Sequence, residues 1–217
     1  QKLDEGKLLG EKAKALMWEK FPFGNKQDKF LHGWGIYSYE NIPSYGFSVG
    51  GVCGLRKFVN DSLTIVFLSN GHKYFPIHNY VINHIAGLVD SALVNQPSLL
   101  EERLINAFLD NPIDQALQAY TSIKKQHPRS NFENTLNTLG YALMRAGQKK
   151  EALEVFHLNV QEHPESWNVF DSLGEGYLEN DQLDEAIANY QRSLVLNPAN
   201  NNAKVMLGVI EKRMKNP

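Results

Sequence analysis

The residue types that do chemistry are present in this chain, but their spacing gives them little to do together. Among 217 residues there are seven histidines and one cysteine. None of the histidines stands at metal-ligand spacing from a cysteine or an acidic residue. His78 and His84, six apart on one expected helix, point about 120° away from each other at 100° per residue. Cys53 sits beside Gly54 at the end of a strand-like run, which suits a buried thiol better than a nucleophile. Covalent acyl transfer needs a nucleophile in contact with a base. Neither Ser122-Ile-Lys124 nor Ser38-Tyr-Glu-Asn41 supplies such a pair. Asp171, Glu175 and Glu179 recur every four residues and would form an acidic stripe on one helix face. No catalytic residue, metal site or cofactor is expected from these patterns, so the sequence points to binding rather than catalysis.

The elements that would carry a binding surface come from a repeat. Leu139-Gly140 recurs as Leu173-Gly174, Leu143 as Tyr177, Ala152 as Ala186, Phe156 as Tyr190 and Pro164 as Pro198, each pair 34 residues apart. A third Leu-Gly stands at Leu207-Gly208. This order resembles the tetratricopeptide (TPR) repeat. There, small residues let two antiparallel helices approach closely, aromatics fill the space toward the next unit, and Pro closes the second helix. A degraded copy keeps Ala116, Tyr120 and Pro128. Pro128 to Pro164 is two residues longer than the period, so a short insertion is expected over Arg129 to Phe132. The expectation is three helix pairs and a charged capping helix over about Asn201 to Lys215. The TPR resemblance implies a peptide-binding groove on the first helices of the pairs. By register its residues are Asn134, Asn137, Tyr141 and Arg145, then Asn168, Asp171, Glu175 and Glu179. The acidic stripe among them reads first as a solvated face partly neutralised by Arg145, and second as a groove for a basic or polar segment.

The first 95 residues have another texture. A helix is expected over Leu8 to Trp18 and a loop over Phe21 to Asp28. Strand-like runs follow at His32 to Tyr39, Ser44 to Val49, Leu55 to Val59 and Leu63 to Leu68. Asn60-Asp61-Ser62 supplies a hairpin turn. Leu63 to Leu68, apolar apart from Thr64, reads as a central strand covered on both faces. A helix is expected over Ile77 to Val94, with Tyr80, Val81, Ile85, Leu88, Val89 and Ala92 at helical spacing. An antiparallel meander closed by an amphipathic helix follows.

The order Leu16-Met17-Trp18, Gly33-Trp34, Tyr45-Gly46-Phe47-Ser48-Val49-Gly50-Gly51-Val52-Cys53-Gly54-Leu55, then Leu63 to Asn70 resembles the C-terminal end of the β-lactamase-related serine hydrolases. That resemblance implies that Ser48, Val49, Gly50 and Gly51 are the remnant of the strand lining the active site, with the Gly51 N–H at the oxyanion hole. Here Ser48 replaces the family's basic residue and Val49 its hydroxyl residue, and the Ser-x-x-Lys followed in order by Tyr-x-Asn that carries the family's nucleophile is missing. The alternative is the C-terminal fragment of an active hydrolase of peptides, esters or β-lactams, with its nucleophile upstream of Gln1. Export to the periplasm or beyond is implied by that resemblance alone.

The fold class expected is α+β: a small antiparallel sheet with flanking helices over residues 1–95, then an all-α TPR superhelix over 96–217. The function expected is a protein-interaction scaffold attached to an incomplete hydrolase-like domain. A net charge of −2 gives no electrostatic case for nucleic acid, and no run is long and apolar enough for a membrane helix. The partners expected are a protein or peptide segment in the groove and a second copy of the chain, because a truncated sheet should leave an edge and an apolar face bare.

Overall fold

The computed structural model describes residues 9–20, 30–31, 34–37, 39, 42–49, 53–69 and 77–215, which fall into two compact units, 1–100 and 101–217.

The first unit is a meander closed by a helix. Helix α1 (Glu11–Met17) is shorter than the expected span from Leu8, which lies outside the described residues. Strands β1 (Phe30–Leu31), β2 (Trp34–Ile36), β3 (Ser44–Val49), β4 (Cys53–Phe58) and β5 (Leu63–Leu68) pair antiparallel in sequence order. The short β1 has no counterpart among the expected strands, and β4 begins two residues earlier than the apolar run at Leu55. The expected loop at 21–28 lies outside the described residues. Helix α2 (Ile77–Val89) stops before the expected Val94, because Asp90 turns the chain into a 3₁₀ turn, Ser91–Leu93, by accepting the Ala92 N–H at 2.8 Å.

Alternation sorts the sheet's two faces. Phe58 and Ile65 point to one face and pack with Ile82 and Ala86 of α2 and with Leu93. On the other face Phe47, Leu55 and Val66 stand side by side across β3, β4 and β5. Two expectations are corrected here. Among the described residues strand β5 is not central but at the end of the strand order, and Val66 and Leu68 are 58% and 79% exposed. An unbroken apolar run says that both faces are apolar, not that both are covered. In α2 the buried residues are Tyr80, Ile82, Asn83 and Ala86, whereas Ile85, Leu88 and Val89 are exposed, Leu88 at 87%. Two apolar stripes compete on that helix, and the sheet takes the one bearing small Ala86.

The second unit is built from α3 (Gln96–Asp110, whose first turn belongs to the first unit), α4 (Ile113–Gln126), α5 (Glu133–Arg145), α6 (Lys149–Glu162), α7 (Trp167–Glu179), α8 (Leu183–Leu196) and α9 (Asn201–Lys215). Helix α5 packs on α6, α6 on α7, α7 on α8 and α8 on α9, so the stacking is between sequence neighbours. Ala152 and Ala186, Phe156 and Tyr190 are fully buried. The insertion after Pro128 delivers Phe132 into the interior, edge-on to Tyr120 at 6.1 Å between ring centres.

Hydrogen bonds repeat with the same period. The Asn159 amide of α6 donates to the Glu133 carbonyl at 3.0 Å, and 34 residues later the Ser193 hydroxyl donates to the Trp167 carbonyl at 2.9 Å. The turns repeat as well: Gly147 and Asp181 both take positive φ, at 82° and 60°. Their N–H groups reach the Met144 and Leu178 carbonyls at 3.1 Å.

Candidate functional site

The register places the eight groove candidates on two first helices, α5 and α7, which touch each other. Their environments differ. Asn134 and Arg145 are exposed, and Asn137, Tyr141 and Asn168 are half-buried. The Arg145 guanidinium lies 5.8 Å from the centre of the Tyr141 ring. The side-chain oxygen of Asn137 is buried with no hydrogen-bond partner among the described residues.

Tyr141 joins the two helices. Its hydroxyl donates to Glu175 Oε2 at 2.8 Å and lies 3.3 Å from Ser172 Oγ. Burial pushes the Tyr141 phenol well above its ordinary range, and the Glu175 carboxylate pushes in the same direction, against the opposing Ser172 bond. Tyr141 therefore stays a donor at any physiological pH.

The acidic stripe is divided by its partners. Asp171, only 8% exposed, accepts from Asn200 Nδ2 at 2.7 Å and from Asn202 Nδ2 at 2.9 Å, so its carboxylate holds the start of α9. Glu175 is bonded to Tyr141. Glu179 pairs with Lys149 at 3.2 Å, and the same ammonium donates to the Glu179 carbonyl at 2.6 Å. The charges are spent between neighbouring helices rather than presented as one surface. No sequence signal singled out Lys149, Ser172, Asn200 or Asn202, because each acts through a residue about 30 positions away.

In the first unit Ser48 is exposed on β3, with the Tyr37 hydroxyl 3.3 Å from its Oγ. Val49 ends β3, and Gly50 and Gly51 lie outside the described residues. Among the described residues no group of three or more His, Cys, Asp or Glu side chains could hold a metal ion, and no helix is long and apolar enough to cross a membrane.

The chain is thus an α+β protein whose second unit is an array of TPR-type helix pairs. No family model matches it, and no curated protein does. Solved structures do. The first TPR domain of Spaghetti (RPAP3) bound to the HSP90 peptide SRMEEVD is 22% identical over 55% of this chain and 93% of that one, with a TM-score of 0.41. MamA 41-end from Desulfovibrio magneticus RS-1 is 25% identical over 55% of this chain and 66% of that one, with a TM-score of 0.41. A further crystal structure of MamA is 29% identical over 48% of this chain and 59% of that one, with a TM-score of 0.38. The repeat assignment rests on the 34-residue register and helix pairing of the chain itself.

Proposed function

We propose that the second unit is a docking module for an extended polypeptide segment, held along the first helices α5 and α7. The observation that carries this reading is the row from Asn134 to Glu179. It keeps polar side chains half-open on two helices locked together by the Tyr141–Glu175 bond, with the Asn137 acceptor unmatched. A segment lying there would meet the half-buried amide side chains of Asn137 and Asn168. Pairing of Glu179 with Lys149, and of Asp171 with Asn200 and Asn202, favours a polar segment over a strongly basic one. Selection from a displayed peptide library on the whole chain tests it. Selected peptides should lose at least about tenfold in affinity on Asn137→Ala, as loss of one or two hydrogen bonds would give. They should be unaffected by Glu154→Ala on the exposed side of α6. Peptides indifferent to Asn137→Ala and Asn168→Ala would place the binding surface elsewhere.

For the first unit, a hydrolase-like remnant without its own catalytic centre is the finer reading. It is supported by the order of its sequence motifs and by the Tyr37 hydroxyl being the hydrogen-bond neighbour of Ser48 among the described residues. An alkyl phosphonate or penicillin probe should leave the chain unlabelled. Stoichiometric labelling that Ser48→Ala abolishes would show a working nucleophile instead. Self-association through the outer face of the sheet is supported by the exposed row of Phe47 and Val66 with Leu68 beyond it.

A further inference from the structure

Peptide docking leaves unexplained a buried cation in the first unit. Arg56 lies on β4 between the sheet and α2, and is only 6% exposed. Its Nη2 donates to Asn79 Oδ1 at 2.9 Å, and its guanidinium stacks on the Tyr37 ring, 3.3 Å from the ring centre. Its Nη1 is buried and has no hydrogen-bond partner among the described residues. A neutral amide and an aromatic face stabilise a guanidinium, but neither supplies a countercharge. Burial accordingly lowers the Arg56 pKa to about 10. Buried cations are normally paired, because an unpaired one loses its hydration without return.

Arg56 also lines a cavity of about 140 Å³. That is close to the ~150 Å³ of an engineered cavity known to admit a six-carbon ring. Its walls are of two kinds. Ile42, Phe58 and Leu93 are apolar, while Asn79 and Ser44 are polar, and no acidic residue lines it among those described. A single planar cation beside an apolar wall selects for charge, shape and body together. One positive charge matches a monoanion. The guanidinium fork matches the two oxygens of a carboxylate. The apolar wall favours a short carbon chain over an inorganic ion.

We propose that this cavity binds a small organic carboxylate, its oxygens on the N–H groups of Arg56 and its chain against Ile42, Phe58 and Leu93. The occupied cavity supplies the missing countercharge and satisfies Nη1, so binding stabilises the first unit in proportion to ligand concentration.

Thermal melts and titration calorimetry on the whole chain test this, with sodium propionate as the probe. Sodium chloride, sodium sulfate and neutral propionamide serve as comparisons at matched ionic strength. Propionate should raise the melting temperature dose-dependently while chloride and propionamide do not. Arg56→Met, which keeps the apolar stem and removes the charge, should weaken propionate binding at least about tenfold, the loss expected for hydrogen bonds to a charged group. Ile42→Phe keeps Arg56 and fills the cavity, and should weaken binding as well, so the test stands even if Arg56→Met folds poorly. Equal effects of propionate and chloride would overturn the proposal. So would undiminished binding in Ile42→Phe, or binding of sulfate in preference to propionate.

Discussion

One dipeptide, Leu-Gly, occurs three times in the repeat unit and meets three different surroundings. A Cβ at Gly140 would overlap the Phe156 ring. At Gly174 it would stand 3.1 Å from Tyr190, close enough that the ring must yield slightly. At Gly208, in α9, it would meet nothing within 4 Å. The motif is therefore a steric requirement in the first copy, a milder one in the second, and without a packing role in the third. Alanine at the three positions should separate these cases. Gly140→Ala should destabilise by about 1–3 kcal/mol through overpacking. Gly208→Ala should stabilise by about 0.5–1 kcal/mol, because it only restrains the unfolded chain and improves helix propensity. Gly174→Ala should fall between them. Denaturant melts of the three variants give the order; a destabilised Gly208→Ala would mean that α9 is covered where the structure leaves it open. Gly147 differs in kind, since its φ of 82° rather than a neighbour favours glycine. Asp181 accepts the same backbone conformation 34 residues later and pairs with Arg213 at 2.7 Å across an exposed surface.

Between elements, Asp171 decides how α9 is attached. The helix starts where Asn200 and Asn202 both donate to the Asp171 carboxylate, and Asn200 also donates to Ser193 Oγ at 2.9 Å, so α7, α8 and α9 meet at one buried polar point. Asp171→Ala would strand two amide donors, at a cost of about 1–3 kcal/mol each where they stay dry. Amide exchange should accelerate across residues 201–215 before it changes in α5 and α6, because stacked repeats loosen from their ends. Uniform acceleration through the whole unit would make Asp171 a global rather than a local tie. The helix pairs themselves were legible in the sequence because Leu-Gly, Ala, the aromatic and Pro each answer a local steric demand at fixed spacing. The Asp171 tie was not, since an acidic residue at a helix repeat reads alike whether it faces solvent or a neighbour. The sheet shows the same limit. The strand-like runs at Ser44 to Val49 and Leu63 to Leu68 marked strands, but apolarity could not say that β5 ends the strand order among the described residues or that Leu88 faces outward. Arg56 was readable only through alternation, which puts it with Gly54 and Phe58 on the face toward α2. Nothing in its type or spacing announces a cavity.

For the whole molecule the open question is what becomes of the apolar surface on the sheet. Phe47, Leu55 and Val66 form a continuous row across three strands, Leu68 adds a fourth side chain at the edge, and β5 ends the strand order among the described residues. Contiguous apolar surface favours association, and a two-fold pairing of identical faces is the simplest closed form. A dimer joined there should dissociate when a charge enters the middle of the row. Val66→Lys is the chosen change, because Val66 already faces solvent and its replacement leaves the Phe58–Ile65 core untouched. Val205→Lys on the exposed side of α9 introduces the same charge in the other unit. Sedimentation velocity over a concentration series should show wild type and Val205→Lys as dimers and Val66→Lys as a monomer with unchanged circular dichroism. A wild-type chain that stays monomeric throughout the series would refute the pairing. A dimer lost on Val205→Lys but kept on Val66→Lys would move the contact from the sheet to the repeat unit.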